Sequence, residues 1–432
     1  MDRYVGGFLC RCFDVFNGLE RRIKPRSKEE PLQLERILVM KYFGMGSLIL
    51  ASPMVRALRK RYPDAQIDLL TIEQNRSVAQ ILPIFDHVYV VDTRSLSSVT
   101  VSMARALRQV RRNRYDAVID AEFFSRLSSL VAYLSRARYS VGFYLPEIWR
   151  GNFLTHQVHF NSYRHAILAF MALAKSIGAN TDDFSVEAVT IPDAVDGSVR
   201  ASLQEMGVHP GQPLVCVNVN TGPLSPERRW PEEHFTSLIR MILWEYRRAA
   251  VMLVGAGADV PVVTHMHNLF GNDERKRVFN VAGKFNLLEF AALLKLSDVF
   301  ITNDSGPLHL AESLRRPTVS FFGPETPVLY GPTGEKQVVF YKGIYCSPCL
   351  NIQNQKEAPC NGNNICMKLI TATEVFPAVK MLLEGVPTTS PFRVSFDVSA
   401  KELLTDYRSA NALQPAPAEV PIRAIPKGAG RP

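Results

Sequence analysis

Short apolar runs recur along the chain, separated by amphipathic stretches and by loops carrying Gly, Pro or Asp. In the first part, Ile37–Met40, Ile67–Leu70, Val88–Val91 and Ala117–Asp120 read as strands. A helix is predicted from about Leu48 to Arg61, and another through the Arg-rich stretch after residue 94. After a polar stretch near Asp193–Gly197 the pattern restarts. Its strands are Leu214–Val219, Val251–Val254, Val278–Val281, Val299–Thr302 and Thr318–Phe322, with helices between them such as Leu287–Leu296. Strands alternating with helices imply an α/β class with parallel sheets covered on both faces. Two such halves are predicted, 34–195 and 205–385. Ahead of them, in segment 1–33, Val5, Phe8, Leu9, Cys12, Phe16, Leu19 and Ile23 fall at helical spacing. That amphipathic helix, followed by Lys24, Arg26 and Lys28, suits an anionic membrane face; packing on its own protein suits it equally. From residue 387 to 432 the composition shifts to Pro, Ala and Ser, which predicts a partly disordered tail.

Composition narrows the class. The 432 residues are 47% hydrophobic and 21% charged, which excludes a disordered, collagen-like or coiled-coil protein. No run of apolar residues is long enough for a membrane-spanning helix, and the first residues do not read as a signal peptide. Seven cysteines, an odd number, argue against a disulfide framework and for a reducing cytoplasm. The net charge is +9, unevenly spread: Arg94, Arg105, Arg108, Arg111, Arg112 and Arg114 fall in a stretch without acids. Such a stretch suits anionic lipid or a phosphorylated substrate, or simply a solvated helix face. No aromatic residues interleave with these arginines, so nucleic acid is not expected as a partner.

In doubly wound sheets, chemistry gathers in the loops after the strands. After Val299–Thr302 comes Asn303-Asp304-Ser305-Gly306-Pro307-Leu308-His309. A turn there leads into a helix with Pro at its start, whose free amides would favour a diphosphate. Asp304 would hold a sugar hydroxyl; capping is its structural alternative. His309 would lie one turn in, facing back toward the sheet. After the first strand, Lys41-Tyr42-Phe43-Gly44-Met45-Gly46-Ser47 offers a second glycine loop. It is not a dinucleotide fingerprint, because Ile49 occupies the third glycine position; Gly255-Ala256-Gly257 fails likewise at Val260. Arg228 and Arg229, ahead of Trp230-Pro231, could neutralise phosphates. Asp120 and Glu122 end the fourth strand and are candidate bases. Cys346, Cys349, Cys360 and Cys366 have a CxxC first pair and a wider second pair, a candidate structural Zn or Fe site.

Together these loops resemble glycosyltransferase family 9, the heptosyltransferases of lipopolysaccharide assembly and their relatives. The resemblance runs from about Arg36 to Leu383 and includes Leu58-Arg59-Lys60-Arg61-Tyr62-Pro63-Asp64, Arg229-Trp230-Pro231 and Phe322-Gly323-Pro324-Glu325-Thr326-Pro327; the 303–327 stretch is the most specific. It implies a GT-B fold, two facing Rossmann-like doubly wound domains with an interdomain cleft. It implies an inverting transfer needing no cofactor for the chemistry, from a nucleotide-diphospho-sugar donor such as ADP-heptose. By the same resemblance the acceptor is a lipopolysaccharide core or related phosphorylated or lipid-linked saccharide. The work site would be cytoplasmic, peripheral on the inner face of the membrane. Carried over by position, Asp304 would contact the donor sugar, and Ser305, Gly306 and Pro307 the diphosphate. Arg229 stands at the family's phosphate-binding lysine, and Lys41, Gly44 and Gly46 would face the acceptor. The family's usual acid after the second glycine is here Ser47, which leaves Glu122 or Asp120 to serve as base. The alternatives are a protein glycosyltransferase of the same family and a non-catalytic nucleotide-sugar-binding homologue.

Overall fold

A computed structural model describes residues 6–14, 33–145, 148–222, 225–351, 358–360, 362–387 and 390. The first half forms β1 (Arg36–Met40), β2 (Gln66–Ile72), β3 (Val88–Val91), β4 (Ala117–Asp120), β5 (Tyr139–Tyr144) and β6 (His156–His159). The second forms β7 (Leu214–Asn218), β8 (Ala250–Val254), β9 (Val278–Asn280), β10 (Val299–Asn303), β11 (Thr318–Phe322) and β12 (Gln337–Tyr341). The orders are β3-β2-β1-β4-β5-β6 and β12-β11-β10-β7-β8-β9, so each half repeats the same doubly wound plan. All these pairings are parallel; Val39 lies opposite both Leu69 and Ile119. The fold is GT-B. The winding reverses between β1 and β4 and between β7 and β10, the two places where such sheets bind ligands.

The central strands are buried on both faces, which is why they are near-continuous apolar runs. In the second half Trp230 is fully buried among Phe235, Phe321 and the terminal helix Ala372–Leu383. Its ring stacks on Phe321 at 4.1 Å between centroids, and its indole N–H donates to Ile370 O at 2.8 Å. This anchor fixes the turn that carries Arg228 and Arg229.

Two elements differ from expectation, and a third takes one of its two expected forms. The helix predicted from Leu48 to Arg61 is two, Met45–Leu50 and Ser52–Arg61. They break at Ala51, where Ser52 Oγ turns back to Ile49 O (2.6 Å) and Pro53 starts the next helix. The polar stretch at the expected boundary lies in a helix, Asp193–Glu205, tied to helix Leu287–Leu296 by Asp196–Lys295 (3.5 Å). Finally, residues 7–14 are helical and pack on the first half. Cys10 is buried with its Sγ 3.6 Å from Arg150 O, and Leu9 and Phe13 join the core while Phe8 stays exposed. The rest of the predicted N-terminal helix, with Lys24, Arg26 and Lys28, and the tail from 391 lie outside the described residues.

Helix Leu96–Asn113 buries Ala106 and Val110 and leaves Arg105, Arg108, Arg111 and Arg112 exposed. Arg114 just beyond it is also exposed, and Arg94 pairs with Asp92 at 2.7 Å. Among the described residues no helix is long and apolar enough to cross a membrane.

Candidate active site

A cleft of about 680 Å³ opens at the carboxyl ends of both sheets. The first half contributes Lys41, Gly44, Met45, Gly46, Ser47 and Glu122. The second contributes Asn220, Arg228, Asp304, Ser305, Gly306, Pro307 and His309. The structure therefore brings most of the sequence-predicted residues to one place.

On the second-half side, β10 ends at Asn303 and helix Gly306–Ser313 begins. The Ser305 hydroxyl does not cap this helix. It lies 3.2 Å from both Asn218 Nδ2 and Thr302 Oγ1. Among the described residues the Ser305 and Gly306 amides have no partner, so two donors are open at the positive end of the helix, an arrangement that suits an anion. Arg228 Nη1 donates to Asp304 O (3.0 Å) and Oδ2 (3.2 Å), placing a guanidinium beside these amides. The sequence offers both Arg228 and Arg229 for this task, and the resemblance points to Arg229. The short turn Pro226–Arg228 puts Arg228 in the cleft, and Arg229 is not among the cleft-lining residues.

Asn220 is a residue that sequence reasoning missed. Its backbone is pinned by Asn218 and Asn303, and its side-chain oxygen and nitrogen are buried without partners among the described residues. It lines the cleft and presents one donor and one acceptor there.

On the first-half side, Gly44 sits at φ +85°, a backbone region that L side chains rarely adopt. Lys41 is 1% exposed; its Nζ donates to Glu122 Oε1 (2.9 Å) and Phe43 O (2.7 Å). The same Oε1 accepts the backbone N–H groups of Tyr42 (2.5 Å) and Phe43 (3.0 Å). Glu122 thus clamps the start of the glycine loop through three donors on one oxygen. Asp120 is fully buried and is not among the cleft-lining residues. It pairs with Arg150 and accepts from Ser128 Oγ (2.9 Å). Burial raises the Asp120 pKa and the Arg150 guanidinium opposes the rise. Of the two candidate bases, Glu122 thus lines the cleft and Asp120 does not.

The two halves meet where helix Gly306–Ser313 crosses helix Met45–Leu50. A Cβ on Gly46 would lie 2.5 Å from His309 Cδ2 and 3.3 Å from Gly306 Cα, so only glycine permits this approach. His309 therefore faces the cleft and the glycine loop; the expectation that it faced back toward the sheet is corrected. His309 Nδ1 is 3.4 Å from Glu312 Oε2, and Glu312 Oε1 accepts from Thr333 N (2.6 Å) and Oγ1 (2.7 Å). Burial works to raise the Glu312 pKa, but these hydrogen bonds outweigh it and hold the carboxyl below its ordinary value. His165 makes a second tie between the halves, its Nε2 2.9 Å from Gly331 O.

The four late cysteines are free thiols. Burial raises the pKa of Cys366 to about 11 and that of Cys349 as well, and the neighbouring thiols add to both. They are therefore neighbours, yet among the described residues no three His, Cys, Asp or Glu side chains are placed to hold an ion. The described residues as arranged do not form the expected metal site.

Comparison with known proteins agrees with this geometry. The glycosyltransferase family 9 (heptosyltransferase) profile matches residues 103–359, more than half of the chain. Lipopolysaccharide heptosyltransferase 3 of Escherichia coli is 23% identical over 350 residues, 79% of this chain and 98% of that protein. Among solved structures, E. coli ADP-heptose lipopolysaccharide heptosyltransferase II aligns with a TM-score of 0.65 at 19% identity, covering 81% of this chain and 99% of that one. An E. coli heptosyltransferase solved with ADP aligns at 0.59 and 20% identity, covering 80% and 99%. With both sheets, the cleft and the profile in accord, the chain belongs to glycosyltransferase family 9 and is a transferase.

Proposed function

We propose that this protein moves a heptose from ADP-heptose to a saccharide of the lipopolysaccharide core, with inversion at the anomeric carbon. The observation that carries the reading is the pairing of Arg228 with Asp304 beside the open Ser305 and Gly306 amides. That set stabilises a diphosphate as negative charge grows on it during departure. Asp304, half neutralised by Arg228, holds the donor sugar's hydroxyls. The Gly44–Ser47 loop lies across the same cleft and receives the acceptor. The E. coli heptosyltransferase solved with ADP and the E. coli ADP-heptose heptosyltransferase II support adenine as the base. The exposed Arg105, Arg108 and Arg112 support a phosphorylated or lipid-linked acceptor presented at an anionic membrane face.

A thermal-shift panel of ADP, UDP, GDP, TDP, CMP and NAD tests the donor. A ligand that binds only the folded state raises the melting temperature by mass action. Selective stabilisation by ADP is the expected result. Selective stabilisation by UDP, GDP or TDP would discard heptose and keep a glycosyl donor. A response to NAD alone would overturn the reading.

A further inference from the structure

If an acceptor hydroxyl attacks in this cleft, something must take its proton. Among the described residues, four carboxylates line the cavity: Glu122, Asp259, Asp304 and Glu325. Each is committed. Glu122 Oε1 holds Lys41 and two backbone amides. Asp304 pairs with Arg228, and Asp259 accepts the Ala256 N–H at 2.9 Å, on the β8 side. Glu325 is buried at 3% exposure with Oε1 3.2 Å from Thr326 N. Ser47 offers only a hydroxyl, which cannot hold a proton near neutral pH.

His309 is different. It lines the cleft, and with Nδ1 taken by Glu312 at 3.4 Å its Nε2 is the ring nitrogen left for a substrate. A Cβ on Gly46 would lie 2.5 Å from Cδ2, so the imidazole packs edge-on against the Gly44–Ser47 loop. Glu312 is itself fixed by two hydrogen bonds from Thr333, so the imidazole is oriented by an anchored carboxylate. An Nδ1–H donated to Glu312 leaves Nε2 with a free lone pair.

We propose that His309 is the general base of the transfer, with Glu312 as its positioning residue. The inference rests on the glycosyl-transfer reading. In the step, the acceptor O–H proton passes to His309 Nε2. The hydroxyl oxygen's electron pair forms the new bond to the anomeric carbon. The bond from that carbon to the diphosphate oxygen breaks, and its pair leaves with the nucleoside diphosphate. The imidazolium so formed is stabilised by Glu312 and later returns its proton to water. The other charged or titratable groups about His309 are His165, ahead of helix Ala166–Lys175, and across the cleft the Lys41–Glu122 and Arg228–Asp304 pairs. Helix Met45–Leu50, packed against it, carries none.

The test uses the full chain and ADP-heptose. ADP release is followed with lipid A core saccharide as acceptor, and with water alone in its place. His309→Gln and His309→Asn are expected to lose at least about 100-fold in kcat, the usual contribution of a general base, while ADP binding changes less than about 3-fold. Glu312→Gln is expected to lower kcat about 10-fold. It should also move the acid limb of the kcat–pH profile to lower pH, since the imidazolium loses its counter-charge; a purely structural role would not move that limb. Turnover within about 3-fold of wild type in both His309 variants would overturn the assignment of the base. An unmoved acid limb in Glu312→Gln would overturn the role of Glu312. Failure of the wild type to bind ADP would overturn the transfer reading itself, which keeps the two failures apart.

Discussion

His165 joins the two halves through one buried imidazole. Its Nε2–H donates to Gly331 O at 2.9 Å, and its Nδ1 accepts the Ile167 N–H at 3.3 Å at the start of helix Ala166–Lys175. Both nitrogens are satisfied only while the ring is neutral. A second ring proton would face the Ile167 N–H and put a charge where water is excluded. Burial accordingly lowers the His165 pKa from 6.5 to about 4, against a small opposing pull from Gly331 O. Between those values the unfolded chain carries a proton that the folded chain refuses, so stability rises with pH there. The contribution is complete above about pH 6.5 and is lost as pH falls toward 4. A difference of that size is worth about 3.4 kcal/mol in total, of which about 2 kcal/mol is gone by pH 5. His165→Asn keeps a small polar side chain and removes the titration. Urea unfolding of both proteins from pH 7.5 to 5 isolates the term. The variant should be less stable at pH 7.5, by about 1–3 kcal/mol for the lost hydrogen bonds. The gap should close by about 2 kcal/mol at pH 5. A gap that stays constant across that range would refute the reasoning.

Other outcomes follow from the cleft. Arg228→Ala should weaken ADP binding by about 10–100-fold, because it removes the only guanidinium among the described residues lining the cleft; Arg229→Ala should change it less than about 3-fold, and calorimetric titration distinguishes the two. Glu122→Gln leaves the buried Lys41 charge unpaired and should cost about 3–5 kcal/mol of stability, read as a lowered denaturation midpoint, with part regained in the Lys41→Met/Glu122→Gln double variant. Gly46→Ala places a methyl 2.5 Å from His309 Cδ2 and should lower kcat by about 100-fold with ADP affinity kept; unchanged kcat would show that the imidazole's seat is not critical.

Much of this was legible from residues alone because central parallel strands must be apolar on both faces. The runs at 37–40, 117–120, 299–302 and 318–322 are such strands, and they locate both switch points. Strands β5 and β6 give no such signal, for the converse reason. Edge strand β6 reads His-Gln-Val-His, half exposed, and β5 contains Ser and Gly, so neither shows a run. The break at Ala51 is carried by one serine hydroxyl turning back on the chain, a local competition that helical periodicity hides. In the site, glycine spacing and Pro307 marked the two loops. Choosing Arg228 over Arg229 needs the short turn before Trp230 and the burial of that ring, which are tertiary facts. Glu122 illustrates the same limit. An acid after a strand is a plausible base until the backbone amides that bind it are in place. Glu312 gave no signal at all, being one acid in a helix whose register against Thr333 only the fold defines.

The most direct measurement of the central claim is the transfer itself. ADP-heptose and a lipid A core saccharide are incubated with the protein, and ADP release is compared with the mass of the acceptor. The account predicts one heptose gained per ADP released, joined with inverted anomeric configuration, and loss of both signals in Arg228→Ala. Protein saturated with ADP-heptose that releases no ADP and adds no sugar to the acceptor would contradict it.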